Sequence, residues 1–384
     1  MAVTAKLCVL TVHGIGFQQP PTETAAGYAD TLHENLHAAL GARLGDDPQR
    51  RPGGYGPVYV MSAKPGTRDT EWGLGRLGSW NGGNLDIAGM PLTAGDEPVA
   101  HVALVYSSLE GVGPHLGTGM GTVGEAGMML NHYASVAGAV RLVVGDAWAA
   151  LHHRAGASGS QSASPSLRPR ADLVPARRHH IATLLHRTPQ DSGIAGTVLA
   201  LEEDVVAYVC RNDLRERIRE FIAEALRRLL ARPDVAGVVV NAHSQGTVAA
   251  FDVLRLYPPD PASRVRAVVT AGSPLRKYAD LFSWGNDAGG MQNVKWLNFW
   301  DTMDPVADPL DPPGSWHYGD PGARSLGEAG LFSAADASGE PIPVPIEDRK
   351  VDNLTNSSGG GLQAHNYWDN TIEFIPQLAG LLKE

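Results

Sequence analysis

The sequence predicts an α/β protein: a doubly wound, mostly parallel sheet with an inserted cap or lid region. Three observations point there. Several apolar runs are nearly continuous rather than alternating, which suits strands buried on both faces. Stretches of helical spacing separate these runs, the rhythm of a parallel sheet covered by helices. Gly (45) and Pro (27) make up nearly a fifth of the 384 residues, against about 12% in average usage, and predict many tight turns and long ordered loops.

Residues 7–12 are apolar, β-branched and bounded by glycine, and read as the first core strand. Residues 25–40 follow with apolar positions at helical spacing, then 58–61 and 102–106 as short strands. A Gly- and Trp-rich insertion without periodicity lies between those strands, at about 66–96. The pattern changes over 110–200, with many glycines in 111–127, an amphipathic run to about 151 and a Ser/Ala/Gly-rich stretch at 155–166. This region is expected to be the cap, dividing the core into 1–109 and 201–384. Its Met- and Gly-rich part, 117–130, fits a lid hinge and ordinary cap packing equally.

From about Asp213 the α/β rhythm is regular. Leu214, Ile218, Phe221, Ile222, Ala225, Leu226 and Leu229 form one helix face, and Pro233-Asp234 ends it. Strands at 238–242, 265–270 and 294–299 follow, with a helix at 245–256 after the first of them and a closing helix at about 370–382. The arginines of the 214–229 stretch mix with glutamates and read as a solvated face.

The formal charge of −10 and a pI near 5.8 disfavour nucleic-acid and other polyanion partners. Cys8 and Cys210 are too few for a disulfide framework. The first apolar run is too short for a secretory signal, and 133–151 is broken by Arg141 and Asp146. A soluble protein without membrane insertion is expected, with the cytoplasm as the default compartment.

The chemistry concentrates at Ala242-His243-Ser244-Gln245-Gly246, between a Val-rich strand and a helix. This is the small-x-Ser-x-Gly pattern of a nucleophile elbow. Small residues two either side of the serine let a strained strand-to-helix turn clear its neighbours, and the helix that follows aims its N-terminal amides at the hydroxyl. His13-Gly14-Ile15-Gly16 leaves the first strand and can aim amides at a developing oxyanion, with Gln245 as the second donor. Serine needs a base, and the base an orienting acid. In such a fold the chain order is nucleophile, acid, histidine. Asp304, before Pro305, is the favoured acid, with Asp301 and Asp308 as alternatives. Of the two histidines after Ser244, His365 is favoured over His317, which sits between Trp316 and Tyr318. His243 reads as a packing residue. The pairs His152-His153 and His179-His180 lack partners at metal-ligand spacing, and no metal site is expected.

These segments, with Ala271-Gly272-Ser273-Pro274-Leu275 and 300–306, resemble the α/β-hydrolase superfamily, more narrowly its bacterial lipase- and esterase-like members. Ala242 stands where the pattern has its first glycine, a substitution several lipases share. The resemblance implies a cofactor-free hydrolase of small-molecule or lipid esters. Ser244 would be nucleophile, His365 base, Asp304 the acid, and Ile15 or Gly16 with Gln245 the oxyanion donors. The same constellation serves amidases, thioesterases and acyltransferases, and a hydrolase fold can also survive as an inert binding protein or an interaction scaffold.

Overall fold

The computed structural model describes residues 5–14, 27–42, 56–61, 73–75, 92–93, 97–106, 212–256, 264–276, 284–304, 306–311, 332–357 and 363–383. The 110–200 insertion, Cys210 and His317 lie outside the described residues.

The Val-rich runs become adjacent parallel strands because their residues are buried on both sides. We number the elements β1 (Lys6–Val12), α1 (Asp30–Ala39), β2 (Val58–Met61), β3 (Gly73–Gly75), β4 (Ala100–Val105), α2 (Asn212–Ala231), β5 (Val235–His243), α3 (Gln245–Leu256), β6 (Val265–Ala271) and β7 (Lys295–Trp300). Then follow β8 (Ser333–Ala335), β9 (Pro341–Pro343), β10 (Glu347–Lys350), the short α4 (Asn353–Asn356) and α5 (Ile375–Leu381). The main sheet has eight strands in the order β10-β7-β6-β5-β1-β4-β2-β3. Every pairing in it is parallel except β2 with β3. β8 and β9 form a separate hairpin.

Alternate residues of the strands enter different cores. Cys8, Leu10, Val12, Val238, Val240 and Val268 pack with Ile218, Phe221 and Leu229 of α2 and Val248 and Phe251 of α3. Val9, Val239, Val269 and Leu297 instead meet Leu32 and Leu36 of α1 and Ile375 and Leu378 of α5. Helices therefore cover both faces, and the period-2 geometry of a strand sorts one apolar run into two cores. Among the described residues no helix is long and apolar enough to cross a membrane.

Four sequence expectations are corrected. The first helix begins at Asp30 rather than near 25. Asp30 turns its carboxylate back to the Gly27 amide, so that side chain organises the start. The last helix begins at Ile375, not 370: the Asn370 side chain accepts from the amides of Ile372 and Glu373, and Pro376 fits only the first turn of a helix. The arginine face of α2 is only partly solvated. Arg227 and Arg228 pair with Glu224 on the exposed side, but Arg215 is buried and Arg219 pairs with the buried Asp252 of α3. Finally, the Gly/Trp-rich insertion supplies the edge strand β3.

The strand order fixes where a site can form. From β1 the chain runs out to β2 and β3, returns by β4, and crosses β1 to continue through β5, β6, β7 and β10. β1 and β5 are thus neighbours where the order reverses, and the crevice at their carboxyl ends is the usual ligand position of such sheets.

Candidate active site

β5 ends at His243 and α3 begins at Gln245, so Ser244 alone makes the turn. It is the only non-glycine with positive φ (53°) among the described residues. That conformation costs a residue with a Cβ about 1–2 kcal/mol, so its surroundings must hold it. The Ser244 amide donates to the Ala271 carbonyl (2.9 Å), and its own carbonyl accepts from Thr247 N (3.0 Å) and Thr247 Oγ1 (2.7 Å). The two nearby glycines are sterically required. A Cβ at Gly246 would overlap the carbonyl oxygens of Val12 and His13, and one at Gly14 would lie 2.9 Å from Ser244 Oγ and closer still to its Cβ. The exit of β1 is therefore packed directly onto the serine. Gln245 opens α3, which puts the positive end of the helix dipole at Ser244.

His365 closes a single 3₁₀ turn, Gln363–His365, and its Nδ1 donates to Asp304 Oδ2 at 2.8 Å. Asp304 lies just beyond the carboxyl end of β7, fully enclosed. Its Oδ2 also accepts from the Tyr367 hydroxyl (2.9 Å), and Oδ1 from the Val306 amide (2.9 Å). Burial raises the Asp304 pKa, yet the His365 ring and these donors outweigh it and hold the carboxyl below its ordinary value. His365 Nε2 and Ser244 Oγ are both buried, and neither makes a hydrogen bond among the described residues. Their loops meet at Gly272, which follows the residue that binds the Ser244 amide. A Cβ there would lie 2.7 Å from His365 Cε1.

Asp301 does not reach the histidine. Its Oδ1 accepts from Met303 N and its Oδ2 from Asn353 N, both at 2.7 Å, so it anchors the turn that presents Asp304. Asp308 sits further along, its amide on the Ser273 carbonyl (3.2 Å). His13 is structural: it stacks on Tyr106 with centroids 4.0 Å apart, accepts from the Tyr106 amide at Nε2 and donates to Gly14 O from Nδ1. Burial lowers its pKa to about 3, so it is neutral. Ile15 and Gly16 lie outside the described residues.

The structure thus places Ser244 and Gln245 beyond the carboxyl end of β5 and Asp304, with His365 bonded to it, beyond that of β7. Sequence reasoning missed Tyr367 and Asn353. Tyr367 stands two residues after His365 with an aromatic-rich neighbourhood, but no pattern marks a phenol as a carboxylate donor. A polar cleft of about 400 Å³, lined by Thr31, Asn35, Thr355, Asn356, Ser357, Asp369 and Thr371, contains none of the expected site residues. Among the described residues no group of three or more His, Cys, Asp or Glu is arranged to hold a metal ion. Comparison with protein-family models, with curated proteins and with solved structures found no match.

Proposed function

We propose that this protein is a serine hydrolase of the α/β-hydrolase type, cleaving carboxylic esters of small-molecule or lipid origin with no cofactor. The observation that carries the reading is His365: buried, held at Nδ1 by Asp304, with an Nε2 that has no partner among the described residues, on a loop that packs against Gly272 and is bonded to His243, the residue before Ser244. A carboxylate on Nδ1 fixes the tautomer whose Nε2 can accept a proton. The strained Ser244 turn and the strand reversal at β1/β5 support the same reading.

In the reaction, Ser244 Oγ attacks the ester carbonyl carbon as its proton passes to His365 Nε2. The oxyanion lies at the amino end of α3, with the Gln245 amide and that of Ile15 or Gly16 as donors. Collapse breaks the carbon–alkoxide bond, and His365 returns the proton to the leaving alcohol. Water, deprotonated by His365, then attacks the acyl carbon; the bond to Ser244 Oγ breaks, His365 returns the proton to Oγ, and the acid leaves. Oxyanion contacts are worth roughly 3–4 kcal/mol per donor in such enzymes, and the open Nε2–Oγ geometry tightens in many enzymes only when substrate binds.

The test is fluorophosphonate labelling with peptide mapping on wild type, Ser244→Ala and His365→Ala. Label on Ser244, lost in both variants, supports the reading, and p-nitrophenyl esters of increasing acyl length, with matched amides and thioesters, then assign the subtype. A folded wild type that takes no label overturns it in favour of an inert binding protein.

A further inference from the structure

We propose that His243 is a positioning residue: by donating from Nε2 to the His365 carbonyl oxygen, it registers the base to the strand that carries the nucleophile. The inference rests on the reading of Ser244 and His365 as nucleophile and base. The bond is 2.8 Å long and buried.

Asp304 holds the imidazole at Nδ1, but the ring is carried by its own backbone through Cβ, and Nε2 shifts whenever that backbone does. Where Nε2 points depends on where the backbone of His365 sits. Two neighbouring carbonyls of that backbone are gripped from different sides. Asn353 Nδ2 donates to Ala364 O at 2.8 Å, and the Asn353 amide is itself bound to Asp301 of the acid turn. His243 takes the next carbonyl, and His243 adjoins Ser244 in the chain. One clamp refers the base to the acid, the other to the serine.

The ring is suited to this work by being uncharged. Burial, reinforced by the His365 ring with its centroid 4.5 Å away, pushes the His243 pKa down to about 3. A cation so close would oppose the imidazolium that His365 becomes during attack. The ring also packs beside Trp368, with centroids 5.1 Å apart, so the alternative role is space filling.

Substitutions separate the two. His243→Phe keeps a ring but no donor. His243→Gln places an amide nitrogen near the reach of Nε2, whereas His243→Asn places it near Nδ1. The experiment measures fluorophosphonate labelling rates on the full chain, with His365→Ala as the floor, then kcat and KM on any ester turned over. Misplacing a reacting group by about 1 Å costs on the order of 100-fold. His243→Phe is therefore expected to slow labelling by about 10- to 100-fold, with kcat lowered and KM unchanged. His243→Gln regains most of that loss, and His243→Asn does not. Wild-type labelling rates in His243→Phe overturn the proposal, as do equal rates in the Gln and Asn variants. If the Phe variant does not fold, the Gln/Asn pair decides. A wild type that takes no label overturns the hydrolase reading and this inference together, whereas a labelled wild type with an equally fast Phe variant overturns this inference alone.

Discussion

Gly272 offers the sharpest test of the site's geometry. It follows β6 with φ +61°, and a Cβ there would stand 2.7 Å from His365 Cε1, 2.9 Å from Nδ1 and 3.0 Å from Tyr367 Cε2. Ordinary van der Waals contact begins near 3.4 Å, so in Gly272→Ala the imidazole must retreat by about 0.7 Å or the loop must move. Retreat works against the 2.8 Å bond to Asp304 and the 2.8 Å bond from His243 to the His365 carbonyl. Alanine at positive φ adds about 1–2 kcal/mol of backbone strain. Gly41 supplies the matched control: its φ is +81°, and nothing lies within 4 Å of the corresponding Cβ. Gly41→Ala should therefore pay the backbone strain alone. Both variants should melt lower, and, with His365 as the proposed base, only Gly272→Ala should lose labelling rate, by about 10- to 100-fold for an imidazole displaced by most of an ångström. The assay pairs thermal melts with fluorophosphonate kinetics at a temperature where both variants are folded. Equal labelling in the two would refute the placement of His365 against Gly272.

Three further outcomes are expected. Asp304→Asn should lower the labelling rate by about 10³- to 10⁴-fold through the wrong tautomer of His365, whereas Asp301→Asn should chiefly lower the melting temperature, because its carboxylate holds the Met303 and Asn353 amides; comparable rate losses in both would reverse the assignment. Stability should fall in acid. His13 and His243 have folded pKa values of about 3 against 6.5 in the unfolded chain, so the unfolded state binds protons first, and the contribution present above pH 6.5 disappears as pH drops toward 3. Each contributes about 1.4 kcal/mol per pH unit in that window, the depressed Asp304 adds in the same direction, and the raised carboxyls of Asp30, Asp301 and Asp348 oppose it; urea midpoints between pH 7 and pH 4 measure the slope. Gly246→Ala should be far more damaging than Gly41→Ala, since its new methyl meets the Val12 and His13 backbone carbonyls rather than a yielding side chain, and a near-wild-type melt would contradict that packing.

What could be read from the sequence is what local pattern encodes. β5, the elbow and α3 were legible because a Val run, a small-x-Ser-x-Gly turn and a helix occupy consecutive positions. Chain order singled out Asp304 and His365, and the structure joins the two by a hydrogen bond. The clamps were not: His243 reaches across 122 residues to a carbonyl, Asp301 across 52 to an amide, and Tyr367 across 63 to a carboxylate. Side-chain bonds to distant backbone leave no periodic trace. β10 escaped for a different reason. Its residues, Glu-Asp-Arg-Lys, lie at a sheet edge and carry no apolar pattern: Asp348 turns its carboxylate to Asn298 and the Leu310 and Asp311 amides, and the other charged side chains there guard against edge-to-edge association.

Ser244 carries two separate burdens, a left-handed backbone and a buried hydroxyl with no partner among the described residues. Glycine at that position would relieve both, and glycine is one or two nucleotide changes away from every serine codon. A lineage selected for thermal endurance alone would have a short mutational path to a sturdier protein that lacks the hydroxyl. Under the proposed role of Ser244 as nucleophile, the serine is thus a position where selection for persistence of the fold and selection for its use pull apart, and the melting-temperature gain of Ser244→Gly would measure how far.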